Sequence, residues 1–208
     1  MIALILSASA FAIPLEEGVH YEVIDKKSSG TAKPEIKEFF SYYCPHCLSF
    51  EPLAERLKSG AEKGNYKFVK SHVDFLRAAG PEIQFMLTKA LVTADTLKVP
   101  AASTAIFNQI HKHRVPFTQE KDIRDLFVLN GVDGAKFDKV FNSFAVTASA
   151  KKMKKDQEEL SRKRVLTGVP TFIVNGKYKI NNQGFKAKTY DELFTQIEAA
   201  AIQLTKKK

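Results

Sequence analysis

The hydrophobic pattern of this 208-residue chain changes from strand to helix and back to strand. Residues 35–41 form a short apolar run, and residues 66–73 alternate with a period of two, as strands of a sheet do. From about residue 81 to residue 161, apolar residues recur instead at helical spacing. Strand character returns at residues 171–174, and an Asn-Gly hairpin signal follows directly. This order predicts an α/β fold in which helices flank a central sheet and an all-helical domain is inserted between strands.

Short signals mark where individual helices begin and end. Gly131 can end one helix of the inserted block, and Asp133 can cap the next. Thr189 and Glu192 have the spacing of a capping box before the last helix. The predicted segments are residues 1–12 as the remnant of a signal peptide, 13–75 as the first part of the sheet domain, 76–161 as the inserted helical domain and 162–208 as the second part of the sheet domain.

The first twelve residues, MIALILSASAFA, form an apolar run that ends in a small-residue pattern. This pattern predicts the end of a secretory signal peptide that is cleaved after Ala12, although the basic start of such a peptide is missing. The other interpretation is a short buried strand or a disordered end. No later apolar run approaches the roughly 18–20 residues that a membrane-spanning helix needs. An exported protein works where disulfides persist.

The chain has two cysteines, Cys44 and Cys47, which are separated by Pro45 and His46. They lie where the strand pattern of residues 35–41 ends and a helical pattern begins. A disulfide stabilises a fold mainly by lowering the entropy of the unfolded chain, and this effect grows with the length of the loop that it closes. A bond between Cys44 and Cys47 would close a very short loop and would stabilise the chain little. The pair therefore indicates chemistry rather than structural cross-linking.

The start of a helix favours a thiolate, because unpaired backbone N–H groups and the positive end of the helix dipole lie there. Cys44 is expected to feel this effect most and to be the more exposed sulfur, so we predict that it is the nucleophile and the leaving group. Cys47, one turn deeper, is predicted to be shielded and to resolve the mixed disulfide. Pro45 stiffens the turn, and His46 can lend positive charge or a hydrogen bond to Cys44. We expect the Cys44 thiolate to persist well below neutral pH.

A zinc site is the main competing interpretation of a Cys-x-x-Cys pair. Zinc would need two further ligands, and the chain has neither a second such pair nor histidines at a suitable spacing, since His111 and His113 are two residues apart. Copper carried on both cysteines and a histidine is a further alternative. We expect no metal, and no cofactor other than the redox-active disulfide between Cys44 and Cys47.

The formal net charge of +9 could attract an anionic partner such as nucleic acid. The lysines are scattered, however, and the short basic clusters carry no interleaved aromatic residues and no known binding motif. We therefore expect that the protein does not bind nucleic acid.

Two segments together match a known family. Residues 38–47, EFFSYYCPHC, resemble the active-site segment of the DsbA family of periplasmic thiol:disulfide oxidoreductases, and residues 168–178, GVPTFIVNGKY, look like its cis-proline segment. The resemblance covers most of the chain beyond about residue 17, including the helical insertion. It implies a thioredoxin fold with an inserted helical domain, a periplasmic location, oxidation of exported proteins and reoxidation by the membrane quinone-linked partner DsbB.

The resemblance also implies roles for matched residues. Cys44 would be the reactive thiol and Cys47 its partner. Pro170 would follow a cis peptide bond beside the disulfide and leave the backbone of Val169 free to pair with an extended substrate. The remaining implied residues are Glu38 and Lys70, an acidic group and a neighbouring base under the active site that could shuttle the Cys47 proton. Either one could instead be an ordinary strand charge.

The leading hypothesis is a monomeric oxidase that passes its disulfide to reduced, unfolded exported proteins through a mixed disulfide on Cys44. A disulfide isomerase or reductase on the same fold is the first alternative, and Val169 before Pro170 favours the oxidase over it. A metal-carrying thioredoxin-like module or a peptide-binding chaperone is the second alternative.

Overall fold

The computed structural model describes residues 13–25 and 30–207, so the predicted signal-peptide remnant, residues 1–12, lies outside the described residues. The described residues form five strands and seven α-helices. The strands are β1 (Tyr21–Val23), β2 (Glu35–Phe40), β3 (Lys67–His72), β4 (Thr171–Val174) and β5 (Tyr178–Ile180). The helices are α1 (Pro45–Glu62), α2 (Pro81–Leu97), α3 (Pro100–Phe107), α4 (Glu120–Leu129), α5 (Gly134–Phe141), α6 (Phe144–Arg162) and α7 (Tyr190–Thr205). A π-helical segment (Asn108–Lys112) continues α3, and a 3₁₀ turn (Asn182–Gly184) follows β5.

The strands form one mixed sheet in the order β1-β5-β4-β2-β3. β2 and β3 run parallel and are joined through α1, because parallel neighbours need a crossover connection. The other neighbouring pairs are antiparallel. As predicted, β4 and β5 form a tight hairpin, whose turn residues Asn175 and Gly176 have positive φ values of 53° and 64°. Helices α2 to α6 all lie between β3 and β4 in the chain, which confirms an α/β fold with a helical insertion.

Strand β2 contributes to three hydrophobic cores. Ile36 packs into the core that α1 and α7 cover, and Phe39 belongs to a small core on the side of α6. Phe40, at the end of the strand, belongs instead to the core of the helical insertion. Cys44 and Cys47 lie in that same core. The environment of both sulfurs therefore depends on how the insertion packs.

No helix within residues 13–25 and 30–207 combines the length and the apolar character needed to cross a bilayer.

Gly131 and Asp133 separate α4 from α5 as predicted. Gly131 has a φ of 85°, a conformation that suits glycine at the end of a helix. Asp133 is the N-cap of α5, and its carboxylate accepts a hydrogen bond from the backbone N–H of Lys136 at 2.8 Å.

Replacing Asp133 by Ala should lower the free energy of unfolding by about 1 kcal/mol, because a first-turn N–H loses its acceptor. Urea unfolding of the variant and the parent protein measures the difference. Lys136→Ala is the matched control, since it keeps the backbone N–H and the cap. An equal loss in both variants would contradict the role of Asp133.

The predicted capping box of α7 forms only in part. Thr189 accepts a hydrogen bond from the N–H of Glu192 at 3.2 Å, as expected. The Glu192 carboxylate, however, accepts from the N–H of Lys188 at 2.8 Å rather than from that of Thr189. A reciprocal box occurs instead at α4, between Gln119 and Asp122. The carboxylate of Glu192 bonds one residue further back because the long side chain reaches past the cap.

Polar side chains fasten the helical insertion to the end of β3. His72 Nδ1 lies 2.9 Å from the hydroxyl of Thr88 on α2. Asp74, just beyond the strand, pairs with Lys154 on α6 at 2.6 Å and exchanges hydrogen bonds with the side chain of Gln157. These contacts hold α2 and α6 against the sheet.

Buried His72 should make the fold sensitive to acid. Burial lowers the pKa of His72 from 6.5 to about 3, so the folded protein holds this ring neutral where the unfolded chain protonates it. Stability is therefore lost as the pH falls below 6.5, by about 2 kcal/mol at pH 5 from this group. Urea unfolding at pH 7 and pH 5 should show a smaller loss for His72→Gln than for the parent. His113→Gln, at an exposed site, should keep the parent's loss, and an unchanged loss in His72→Gln would contradict the assignment.

Candidate active site

Cys44 is the residue that caps the first turn of α1. Its backbone is extended, with φ −95° and ψ 112°, and its sulfur accepts a hydrogen bond from the N–H of Cys47 at 3.1 Å. Pro45 occupies the first helical position, where a missing N–H costs nothing. The N–H of Cys44 donates to the carbonyl of Ser41 at 3.0 Å and closes the turn between β2 and α1. The sulfur therefore lies at the positive end of the helix dipole.

The segment before β4 lies against this sulfur. Cys44 Sγ is 3.5 Å from the carbonyl oxygen of Val169, and the thiol donates to it. The Val169–Pro170 peptide bond is cis, as predicted. The side-chain amide of Asn182 donates to the Pro170 carbonyl at 3.2 Å, and the hydroxyl of Thr171 donates to the backbone nearby. Residues more than 120 positions apart in sequence thus meet at the reactive sulfur.

The two thiols have opposite acidities. The Cys47 side chain and the N–H groups of Cys47 and His46 hydrogen-bond to Cys44, and they lower its pKa to about 7 although burial opposes the shift. Burial raises the pKa of Cys47 far above its usual range. Cys44 is 5% exposed and Cys47 is completely buried. Around neutral pH, a large fraction of Cys44 is therefore the nucleophilic thiolate, whereas Cys47 keeps its proton.

Two details of the predicted thiolate differ from expectation. We expected the Cys44 thiolate to persist well below neutral pH, and the pKa of about 7 agrees with the direction only, because burial offsets part of the hydrogen bonding. The side chain of His46 is exposed, and within the described residues it makes no hydrogen bond or ion pair. The contribution of His46 that the structure describes comes from its backbone N–H.

A cluster of charged side chains lies close enough to Cys47 to act on it electrostatically. Glu38, on β2, is completely buried, and its carboxylate is 3.6 Å from the ammonium of Lys70 on the neighbouring strand β3. Lys70 also pairs with Glu51 on α1, and it lies 4.2 Å from the centre of the Phe40 ring. Burial raises the pKa of Glu38 to about 7, although Lys70 opposes the shift. Burial alone would lower the pKa of Lys70, but Glu38 and Glu51 together raise it.

The structure brings Glu38 and Lys70 together and adds Glu51, which the sequence analysis did not single out. A glutamate on an amphipathic helix is unremarkable in a sequence. One signal could have found it, because Glu51 lies four residues after Cys47 and residues at that spacing share a helix face.

The zinc and copper interpretations both require further ligands close to the cysteines. In residues 13–25 and 30–207, no group of three or more His, Cys, Asp or Glu side chains lies close enough to hold a metal ion. His111, which the sequence analysis found unsuitable as a zinc ligand, bonds through Nε2 to the carbonyl of Tyr42 at 2.8 Å.

Residues 29–199 match the model of a protein family described as Thioredoxin. The thiol:disulfide interchange protein DsbA of Salmonella typhi is 35% identical over 210 residues, which cover 99% of this chain and 95% of the relative. The chain belongs to the DsbA family. DsbA of Escherichia coli K12 is 34% identical over 209 residues, with the same coverage.

Solved DsbA structures share the fold. The crystal structure of DsbA from Proteus mirabilis is 30% identical and superposes with a TM-score of 0.77 over 93% of this chain and 98% of the other. A second structure of that DsbA, in complex with a non-covalently bound peptide, has 29% identity and a TM-score of 0.75 over 94% and 100% of the two chains. The thioredoxin fold with an inserted helical domain, expected from the resemblance, is confirmed.

Proposed function

We propose that this DsbA family member is a thiol:disulfide oxidase that donates the Cys44–Cys47 disulfide to reduced proteins. The observation that carries the proposal is the environment of Cys44, whose sulfur receives helix-start hydrogen bonds and lies beside the cis-proline segment. An acidic thiol is a good leaving group, and stabilising it favours the reduced form of the protein. A protein that is stable when reduced gives its disulfide away readily.

The reaction has two exchange steps. A substrate thiolate attacks Cys44 Sγ, which forms a mixed disulfide and releases Cys47 as the leaving sulfur. A second substrate thiolate then attacks the substrate sulfur of the mixed disulfide, which forms the product disulfide and releases Cys44 as a thiolate. Two electrons pass from the substrate to the cysteine pair, and Cys47 gains a proton because burial holds its pKa high.

We propose that Glu38, Lys70 and Glu51 carry this proton between solvent and Cys47. Glu38 has a pKa of about 7, so it exchanges a proton readily near neutrality. Lys70 connects it to Glu51, whose side chain is 23% exposed and therefore reaches solvent. The three groups form a route between the buried thiol and water.

The cis-proline segment is proposed to hold the substrate. The Val169 carbonyl already faces Cys44, so an extended peptide that pairs with the Val169 backbone would bring its own sulfur to the same place. A DsbA of Proteus mirabilis has been solved with a bound peptide, which supports a peptide substrate here. Pro45 and His46 are exposed beside Cys44 and are assigned to the rim of this surface.

Location and partners follow from the family and the amino-terminal pattern. We propose that the protein works in the periplasm as a monomer, that its substrates are reduced, newly exported proteins, and that a membrane quinone-linked partner of the DsbB type reoxidises it. It is proposed to use the cysteine pair without a metal or other cofactor, and to bind no nucleic acid.

Two assays on one sample test the oxidase against the isomerase. The oxidised protein should form disulfides in reduced, unfolded ribonuclease much faster than it restores activity to scrambled ribonuclease. Equal rates in the two assays would favour the isomerase. Mass spectrometry of the purified protein should show a loss of two hydrogens on oxidation, whereas added metal mass would favour a metal carrier.

A further inference from the structure

The helical insertion contacts Tyr42, two residues before Cys44, through hydrogen bonds at both its side chain and its backbone. The Tyr42 hydroxyl lies 2.8 Å from the hydroxyl of Ser103 on α3. The Tyr42 carbonyl oxygen lies 2.8 Å from His111 Nε2 on the π-helical segment. Both partners come from the insertion, whereas Tyr42 belongs to the turn that connects β2 to the reactive cysteine.

The bond from His111 has a defined direction. A carbonyl oxygen can only accept, so Nε2 carries the hydrogen and His111 is the donor. The imidazole stacks on Phe107, with ring centres 6.1 Å apart, and Phe107 packs edge-on against the Tyr42 ring at 5.0 Å. π-helical segments are rare and occur often at functional sites, and here the segment carries the donor.

The Tyr42 peptide group influences the position of the reactive sulfur. The turn between β2 and α1 is closed by bonds to Ser41, whose carbonyl accepts from the N–H of Cys44 at 3.0 Å and whose hydroxyl accepts from the N–H of Tyr43 at 3.2 Å. The Tyr42 carbonyl and the Tyr43 N–H belong to the same peptide group, which lies between Ser41 and Cys44 in the chain. Rotation of this peptide would shift Cys44 relative to the Cys47 N–H that lowers its pKa.

We propose that His111 is a positioning residue for Cys44: its hydrogen bond to the Tyr42 carbonyl holds the turn in the geometry that stabilises the reduced form. The proposal rests on the redox chemistry of the proposed function. A donor in the inserted domain thereby tunes how strongly the cysteine pair oxidises its substrates.

A purely structural role makes a different prediction from a positioning role. The reduction potential reflects the difference in stability between the reduced and the oxidised protein. Lost packing at His111 lowers both stabilities alike and leaves the potential unchanged. A lost constraint on the Cys44 turn lowers mainly the stability of the reduced form, where the sulfur accepts the helix-start hydrogen bonds.

The test uses three variants of the full chain. His111→Phe keeps a ring against Phe107 and removes the donor, His111→Gln restores an N–H donor at similar reach, and His113→Phe makes the same change at an exposed site two residues away. The measurements are the redox equilibrium with glutathione, the Cys44 pKa from thiolate absorbance, and thermal unfolding of both redox forms.

His111→Phe should shift the glutathione equilibrium about fivefold towards the disulfide form, since a hydrogen bond contributes about 1 kcal/mol. Its Cys44 pKa should rise, and the reduced form should lose more thermal stability than the oxidised form. His111→Gln and His113→Phe should stay within about twofold of the parent. Equal destabilisation of both forms with an unchanged equilibrium, or equal shifts in His111→Phe and His111→Gln, would overturn the proposal. A parent protein with a normal glutathione equilibrium that fails to oxidise ribonuclease would instead contradict the proposed function and leave the role of His111 intact.

Discussion

Replacing Cys44 by Ala should reduce the rate of disulfide transfer to a reduced peptide by at least about a thousandfold, because the group that forms the mixed disulfide is lost. Cys47→Ala should behave differently when it is mixed with a peptide that contains a disulfide. Its Cys44 thiolate attacks that disulfide, releases one peptide thiolate and stays joined to the other, because no second thiol in the chain resolves the adduct. The two variants therefore separate the attacking sulfur from the resolving one.

The basis of this difference is the unequal environment of the two sulfurs. Cys44 has a pKa of about 7 and some exposure, whereas Cys47 is completely buried and its pKa lies far above its usual range. Mass spectrometry under non-reducing conditions identifies the adduct and the cysteine that carries it. Ser49→Ala, at an exposed position on the same helix, should react like the parent. An adduct on Cys47 in the Cys44→Ala variant would contradict the assignment.

Replacing Glu38 by Gln should raise the free energy of unfolding at pH 8 by about 3 kcal/mol. The pKa of Glu38 is about 7 in the folded protein and 4.5 ordinarily. Where the folded pKa of an acid is raised, ionisation favours the unfolded chain, so the parent loses stability as the pH rises from 4.5 through 7. The variant has no such loss. Lys70 keeps Glu51 as a partner, so the substitution leaves no cation unpaired.

The pH dependence distinguishes this effect from ordinary repacking. The gain from Glu38→Gln should shrink towards pH 5, where the parent carboxyl is protonated. Urea unfolding of the reduced protein at pH 5 and pH 8 measures both values. Glu35→Gln, on the same strand but partly exposed, should show a much smaller gain. A gain that is equal at both pH values would show that the Glu38 carboxyl does not titrate as described.

Features that depend on neighbouring residues could be predicted from the sequence. Strand β2 was predicted at residues 35–41 and is observed at Glu35–Phe40, and Pro45 occupies the first helical position as expected. Asp133 caps α5 because its carboxylate needs only a backbone N–H three residues away. The cis bond before Pro170 was implied by the resemblance, because the Gly-Val-Pro segment matches the family.

Features that depend on distant residues were harder to predict. The spacing from Cys47 places Glu51 on the same helix face, but its pairing with Lys70 appears only when β3 packs beside α1. His111 entered the sequence analysis only as an unsuitable zinc ligand, and the structure shows it bonded to a backbone carbonyl 69 positions away. The extent of the Cys44 pKa shift could not be predicted either, because hydrogen bonds from the Cys47 thiol and from the helix-start N–H groups lower this pKa while burial raises it.

The amino-acid order alone was enough to locate the reactive pair at a strand-to-helix junction and to separate the helical insertion from the sheet. Those features arise from side-chain periodicity, turn residues and capping groups, all of which act within a few residues. Folding decided the acidity of Cys44, the clustering of Glu38, Lys70 and Glu51, and the contact with Val169. Each depends on desolvation or on charges brought within a few ångströms by packing, and electrostatic energies at such distances are set by the surrounding protein rather than by local sequence.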